Sequence, residues 1–122
     1  MNYKSYLRDY VHVKDVAKAI LCAALNINSI KGKHWNISCG TGHTLNQLFE
    51  QIIENIQKQT KREIDVKHID EPEGMLEIEK RNFIGDISNF TKNTGWRPNI
   101  SFEEGIARTV ESIIQMNKST KS

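Results

Sequence analysis

The sequence has few cysteines and no long apolar run. Two of its 122 residues are cysteine, Cys22 and Cys39, and they lack the paired spacing of a disulfide framework. Since no signal peptide is recognisable either, we expect a reducing compartment, by default the cytoplasm. The longest apolar run, at 19–25, is too short to cross a bilayer, so we expect no membrane partner.

The sequence also has no large excess of either charge. It carries 17 basic and 15 acidic residues, a formal net charge of +2, and these residues are dispersed along the chain. Proteins that bind nucleic-acid duplexes usually concentrate basic side chains on one face. A nucleic-acid-binding domain is therefore the disfavoured alternative, and we expect no nucleic-acid partner.

The loop at 40–42 contains two glycines but lacks the known motifs of a phosphate-binding loop. The loop lies between a predicted strand and a predicted helix, where free amide groups and the helix dipole favour anions. A dinucleotide-binding fingerprint requires a third glycine where this sequence has Leu45, and a P-loop requires Gly-Lys-Ser/Thr. We therefore predict that Gly40 and Gly42 form a tight turn, with any ligand contact being secondary.

Hydrophobic periodicity predicts one α/β domain over residues 1–116, followed by a disordered polar tail at 117–122. Alternating patterns predict short strands at 10–13, 34–38 and 63–69. Apolar residues at helical spacing predict about four helices, at 15–26, 45–56, from 86 or 88 to 95, and 102–116. Capping residues occur at the predicted helix ends: Asp15, Thr44 with Gln47, Gly95, and Ser101 with Glu104.

Three patterns resemble catalytic or metal sites but are incomplete. Cys39 and His43 are spaced like half a metal site, and no second pair completes it. Tyr10 and Lys14 have a Tyr-x-x-x-Lys spacing, but that catalytic pair requires one helical turn, whereas the predicted strand separates the two residues. The carboxylates at 65–79 have no calcium-loop spacing and are interpreted as a solvated loop. We predict no catalytic residue and no metal site in this chain.

Four segments carry a family resemblance: RDYVHVKDVAKA (8–19), WNISCGTG followed by Thr44 and Leu45 (35–45), GDISN with TGWRP (85–98), and SFEEGI (101–106). They are similar, in order and spacing, to segments of the NAD-dependent epimerase/dehydratase family. This family comprises the extended short-chain dehydrogenases that include UDP-glucose 4-epimerase and dTDP-glucose 4,6-dehydratase. The resemblance covers nearly the whole chain.

The resemblance implies a small C-terminal substrate-binding domain of an extended short-chain dehydrogenase, with about four helices and short strands, over residues 1–116. Members of the family hold NAD or NADP, and carry the catalytic Tyr and Lys, in an N-terminal Rossmann domain that this sequence lacks. The resemblance therefore implies that the chain has no cofactor of its own and is inactive alone. Its implied partners are a nucleotide-diphosphate sugar and a Rossmann domain supplied in cis or in trans.

The resemblance also implies substrate-binding residues. In the family, the arginine of the Arg-Asp-aromatic segment contacts the pyrophosphate of the nucleotide sugar, and Arg8 stands at that position. The chemistry agrees, because a guanidinium binds two phosphate oxygens at once. Asn36 stands where the family has an asparagine near the nucleotide. Arg81 is a further candidate, although it precedes Asp86 by only five residues and the family arginine lies further upstream.

We therefore expect the substrate-binding domain of a nucleotide-sugar epimerase or dehydratase of carbohydrate biosynthesis. In the complete enzyme, a hydride would pass from a sugar carbon to NAD while this domain holds the nucleotide. The alternative is a naturally short, non-catalytic binding or partner module of the same fold, which completes a separately encoded Rossmann half.

Overall fold

The helices of the computed structural model lie close to their predicted positions. The structure describes residues 6–70 and 73–121, which contain β1 (Leu7–Asp9), α1 (Val13–Leu25), α2 (Ile27–Ile30), β2 (Gly42–Thr44), α3 (Leu45–Thr60), a 3₁₀ helix (Glu77–Lys80), α4 (Ser88–Thr94) and α5 (Phe102–Thr120). The predicted α/β class is confirmed, because five α-helices and one two-stranded sheet form among these residues. None of the described helices has both the length and the apolar character needed to cross a membrane.

The sheet differs from the prediction. β1 pairs with β2 in an antiparallel ladder, with Arg8 opposite His43 and Asp9 opposite Gly42. The predicted strands at 10–13, 34–38 and 63–69 are wrong, since these segments are irregular and residue 13 already belongs to α1. An alternation of apolar and polar residues indicates which side chains are buried. A strand also requires a second strand that pairs with its backbone through hydrogen bonds.

Asp15 joins α1 to the connection between α4 and α5. Its fully buried carboxylate accepts hydrogen bonds from the backbone amides of Asn99, at 3.1 Å, and Ile100, at 2.9 Å. Trp96 Nε1 donates to the Asp15 carbonyl at 3.1 Å. The predicted N-cap role of Asp15 is therefore wrong, because its carboxylate is used in this tertiary link and His12 caps α1 with its Nδ1.

The other helix ends agree more closely with the sequence. α3 begins with the predicted capping box, in which Gln47 N donates to Thr44 Oγ1 at 3.2 Å and Thr44 N donates to Gln47 Oε1 at 2.8 Å. α4 ends at Gly95, whose φ of 75° lies in the left-handed region.

Ser101 caps α5 as predicted, but the end of α5 predicted at residue 116 is wrong. The good helix formers Gln, Met and Lys at 115–118 extend it to Thr120, through most of the predicted tail.

The core lies where α1, α2 and α4 meet. Ala19, Ile30, Phe90 and Trp96 are its buried residues, and the rings of Phe90 and Trp96 pack edge to face with centroids 5.7 Å apart. Trp35 packs on Phe90 and donates from Nε1 to the Ile30 carbonyl at 2.8 Å. The loop at 34–38 is thus held to the core by the Trp35 side chain and not by the backbone hydrogen bonds of a sheet.

One face of α1 is apolar and exposed. Val13, Ile20, Leu21 and Leu25 are 65–85% exposed and lie on the side of the helix away from the core. Burying a side chain of this kind is worth about 1.5–3 kcal/mol. An apolar face of this extent is typical of a surface that contacts another part of a protein.

Candidate functional site

Arg8 lies in β1, and its side chain is held by backbone carbonyl groups. Nη1 donates to the carbonyl oxygens of Leu7, at 3.0 Å, and of Arg81, while Nη2 donates to the carbonyl oxygen of Glu79. These bonds fix the guanidinium against the segment that contains the 3₁₀ helix. A guanidinium has five N–H donors, so three of the five are used in this way.

Two donors of Arg8 are left for a ligand. Nε–H and the second Nη2–H have no partner among residues 6–70 and 73–121. In a planar guanidinium, Nε–H and one Nη2–H lie along the same edge, and such an edge matches two oxygens of a carboxylate or a phosphate. Arg8 is only partly buried, and its bonds to Glu79 and Arg81 lie in exposed surroundings. The arrangement can therefore bind an anion through two parallel hydrogen bonds.

The structure brings Arg81 to Arg8, but through its backbone. The Arg81 carbonyl accepts from Arg8, whereas the Arg81 side chain is exposed. Asn36 is also exposed, and in the described part of the chain no hydrogen bond joins it to either arginine. Of the three predicted substrate-binding residues, Arg8 is therefore the one whose donors are arranged for an anion.

Asp9 is an important residue of this region that sequence reasoning missed. Its Oδ1 accepts from the Cys39 amide at 2.6 Å, and its Oδ2 accepts from the amides of Gly40, at 2.8 Å, and Gly85, at 3.0 Å. Bonds to an ionised acceptor are stronger than bonds between neutral groups. One carboxylate thus joins two distant segments to β1. The one sequence signal for Asp9 is its position after Arg8 in the Arg-Asp-aromatic segment. This motif does not reveal which backbone amides Asp9 binds.

The two glycines of the loop at 40–42 have structural reasons to be glycine. Gly40 has a φ of 78°, which other residues rarely adopt, and its amide is bonded to Asp9. A Cβ on Gly42 would lie 2.7 Å from Ile84 Cδ1. Gly40 lies in a bend and Gly42 is the first residue of β2, so the two glycines shape the entry to this strand. The loop does not fit a dinucleotide, because a pyrophosphate requires open space at free backbone amides.

Tyr10 and Lys14 do not form a catalytic pair. The Tyr10 ring packs on Phe102 with centroids 5.6 Å apart, and burial raises the pKa of its hydroxyl although the charge of Arg8 opposes this shift. A tyrosine that acts as a base needs a lowered pKa. Lys14 lies in α1 and Tyr10 precedes that helix, so they do not share a helical turn. Over the described ranges, no group of three or more His, Cys, Asp or Glu side chains could hold a metal ion.

Comparison with known proteins identifies a family. The sequence profile of the family described as GDP-mannose 4,6 dehydratase matches residues 2–109. The chain is 27% identical over 108 residues to dTDP-4-dehydro-6-deoxyglucose reductase from Escherichia coli. This match covers 87% of the chain and 30% of the reductase.

The fold of this chain is similar to part of the solved structures of two enzymes. UDP-glucose 4-epimerase from Thermotoga maritima, crystallised with UDP-glucose, matches with a TM-score of 0.69 and 30% identity over 95% of this chain. dTDP-glucose 4,6-dehydratase from Bacillus anthracis, crystallised with NAD, matches with a TM-score of 0.60 and 26% identity over 90% of this chain. The chain spans 34% of the epimerase and 32% of the dehydratase, about a third of each.

Proposed function

Because this chain belongs to the NAD-dependent epimerase/dehydratase family, we propose that it is the nucleotide-sugar-binding part of an epimerase or dehydratase. In this proposal Arg8 binds the pyrophosphate of a nucleoside-diphosphate sugar, and Asn36 and Arg81 line the same site. The UDP-glucose in the crystal of the related epimerase supports this class of substrate.

The free edge of Arg8 is the observation that carries the proposal. Charge-assisted, bidentate bonds between a guanidinium and phosphate oxygens are among the strongest polar contacts in proteins. The carbonyls of Glu79 and Arg81 already hold the side chain in place. A diphosphate therefore meets an ordered guanidinium, and less side-chain entropy is lost on binding.

The proposal assigns NAD or NADP to a Rossmann domain supplied in cis or in trans. The loop at 40–42 does not fit a dinucleotide, so the cofactor and its hydride chemistry belong to that partner, and this chain holds and orients the nucleotide. Two observations support such a partner: the relatives extend well beyond the third that the chain matches, and the exposed face of α1 is apolar. The chain alone is expected to be inactive.

An NMR titration of the ¹⁵N-labelled chain with UDP, dTDP, CDP and GDP sugars tests this function. We expect weak binding that shifts the Arg8 Nε–H resonance and the neighbouring backbone amides. Arg8→Ala should abolish the response. Arg62→Ala is the matched control, because it also removes an arginine side chain, from an exposed position just beyond α3; it should leave the response unchanged.

Two results would contradict the proposal. One is a folded sample that responds to none of the sugars, or that loses its response equally in the Arg8 and Arg62 variants. The other is turnover of a nucleotide sugar by the chain alone, since the redox machinery would then lie within it.

A further inference from the structure

We propose that Asp9 is a positioning residue for the anion-binding edge of Arg8. It acts through the connecting segment, residues 79–85, which leads from the carbonyls that hold Arg8 to the amide that Asp9 binds. The inference rests on the proposed function and adds to it a residue that touches neither substrate nor cofactor.

Two consecutive residues of β1 hold the connecting segment at its two ends. At the first end, the carbonyls of Glu79 and Arg81 accept hydrogen bonds from Arg8. At the other end, the Gly85 amide donates to Asp9 Oδ2 at 3.0 Å. Neighbouring residues of a strand point to opposite faces, so the two side chains hold the segment from both sides of β1.

The Gly85 end is anchored by Asp9. A Cβ on Gly85 would lie 2.0 Å from Ser38 Oγ, so the two residues approach closely. Ser38 is 7% exposed, and its hydroxyl has no hydrogen-bond partner within the described residues, so that it does not supply the link. Asp9 supplies it, because the same carboxylate also accepts from the amides of Cys39 and Gly40, which follow Ser38.

The orientation of the Arg8 edge depends on how firmly the connecting segment is held. Leu7 holds its middle, at 82–83, through hydrogen bonds of 2.9 and 3.0 Å, and Asp9 holds its far end. The carbonyls of the connecting segment define the plane of the guanidinium, and the free Nε–H and Nη2–H lie in that plane. Binding sites require their groups to be held within about 0.5 Å and 10–20° of the productive geometry. If the bond between Asp9 and Gly85 were lost, only the bonds to Leu7 and Arg8 would hold the segment, and its carbonyls and the Arg8 edge would be less firmly fixed.

Titration with inorganic pyrophosphate tests the inference, with the Arg8 Nε–H resonance as the readout. In Asp9→Asn, an amide NH₂ would face backbone donors, and we expect the affinity for pyrophosphate to fall about tenfold, the effect of one hydrogen bond. Removing a negative charge near the site would by itself strengthen anion binding, so a loss separates positioning from charge.

Asp15→Asn is the matched control. The Asp15 carboxylate likewise accepts from backbone amides, but these amides lie at 99 and 100, outside the connecting segment. This variant should bind pyrophosphate like the wild type. Equal losses in the two variants, or unchanged or tighter binding by Asp9→Asn, would overturn the inference and leave the role of Arg8 intact. No wild-type response at Arg8 would instead overturn the proposed function, and the inference with it.

Hydrogen exchange of the wild-type chain gives a second test that needs no variant to fold. Coupling between two sites is reciprocal, so pyrophosphate bound at Arg8 should slow exchange of the Gly85 amide. The amides of Asn99 and Ile100, which are bonded to Asp15, serve as internal controls. An unchanged rate at Gly85, or an equal change at all three amides, would overturn the inference.

Discussion

Replacing Asp15 by alanine should remove a large part of the stability of the chain. The buried carboxylate accepts from the amides of Asn99 and Ile100, and Ile100 is itself buried. Alanine would leave both donors without a partner, which costs about 1–3 kcal/mol for the buried Ile100 amide and about 1 kcal/mol for the partly buried Asn99 amide. We therefore expect the free energy of unfolding to fall by about 2–4 kcal/mol, out of the roughly 5–15 kcal/mol of a typical domain.

Urea unfolding followed by tryptophan fluorescence measures this loss. Trp96 is a suitable reporter, because it is 4% exposed and donates to the Asp15 carbonyl. Asp15→Asn keeps one acceptor and should lose about 1–3 kcal/mol. Glu50→Ala removes an exposed carboxylate on α3 and should change the stability by less than about 0.5 kcal/mol. A loss below about 1 kcal/mol for Asp15→Ala would refute the reasoning, since the two amides would then not depend on the carboxylate.

Two further predictions concern the packing beside the site and the exposed face of α1. Gly85→Ala should destabilise by about 1–3 kcal/mol in the same assay, because its Cβ would lie 2.0 Å from Ser38 Oγ, and adding Ser38→Gly should restore part of the loss. If the second change restores nothing, the close approach is not the cause. Leu21→Glu combined with Leu25→Glu should leave the unfolding free energy within about 0.5 kcal/mol and reduce the binding of an apolar dye, because both side chains are exposed. A loss above about 2 kcal/mol would mean that this face is buried in the isolated chain.

The features that the sequence predicted correctly depend on residues close together in the chain. The capping box of Thr44 and Gln47 spans one helical turn, and the left-handed end of α4 requires only Gly95. Both signals act through the local backbone. Arg8 was identified through family resemblance, and its free guanidinium edge became visible only with the positions of the carbonyls.

The features that the sequence did not predict depend on contacts between distant segments. Asp15 has the residue type and position of a helix cap, but its partners lie 84 and 85 residues further on. The amides bound by Asp9 lie up to 76 residues away. The alternation at 34–38 arises because Trp35 and Ile37 pack on the core, so burial produced a strand-like pattern without a strand partner. The spacing of apolar residues does not distinguish a strand paired in a sheet from an irregular segment with alternate side chains buried.

The irregular segment at 63–69 has a consequence for solubility. Its pattern is strand-like and it is largely exposed, and within the described residues it pairs with no strand. An exposed segment with a strand-like pattern can template fibrils in which identical segments stack in register. Glu63, Asp65 and Lys67 oppose this, because stacking would place each charge directly against its own copy. The strand-like segment therefore contains charged residues that disfavour its self-association.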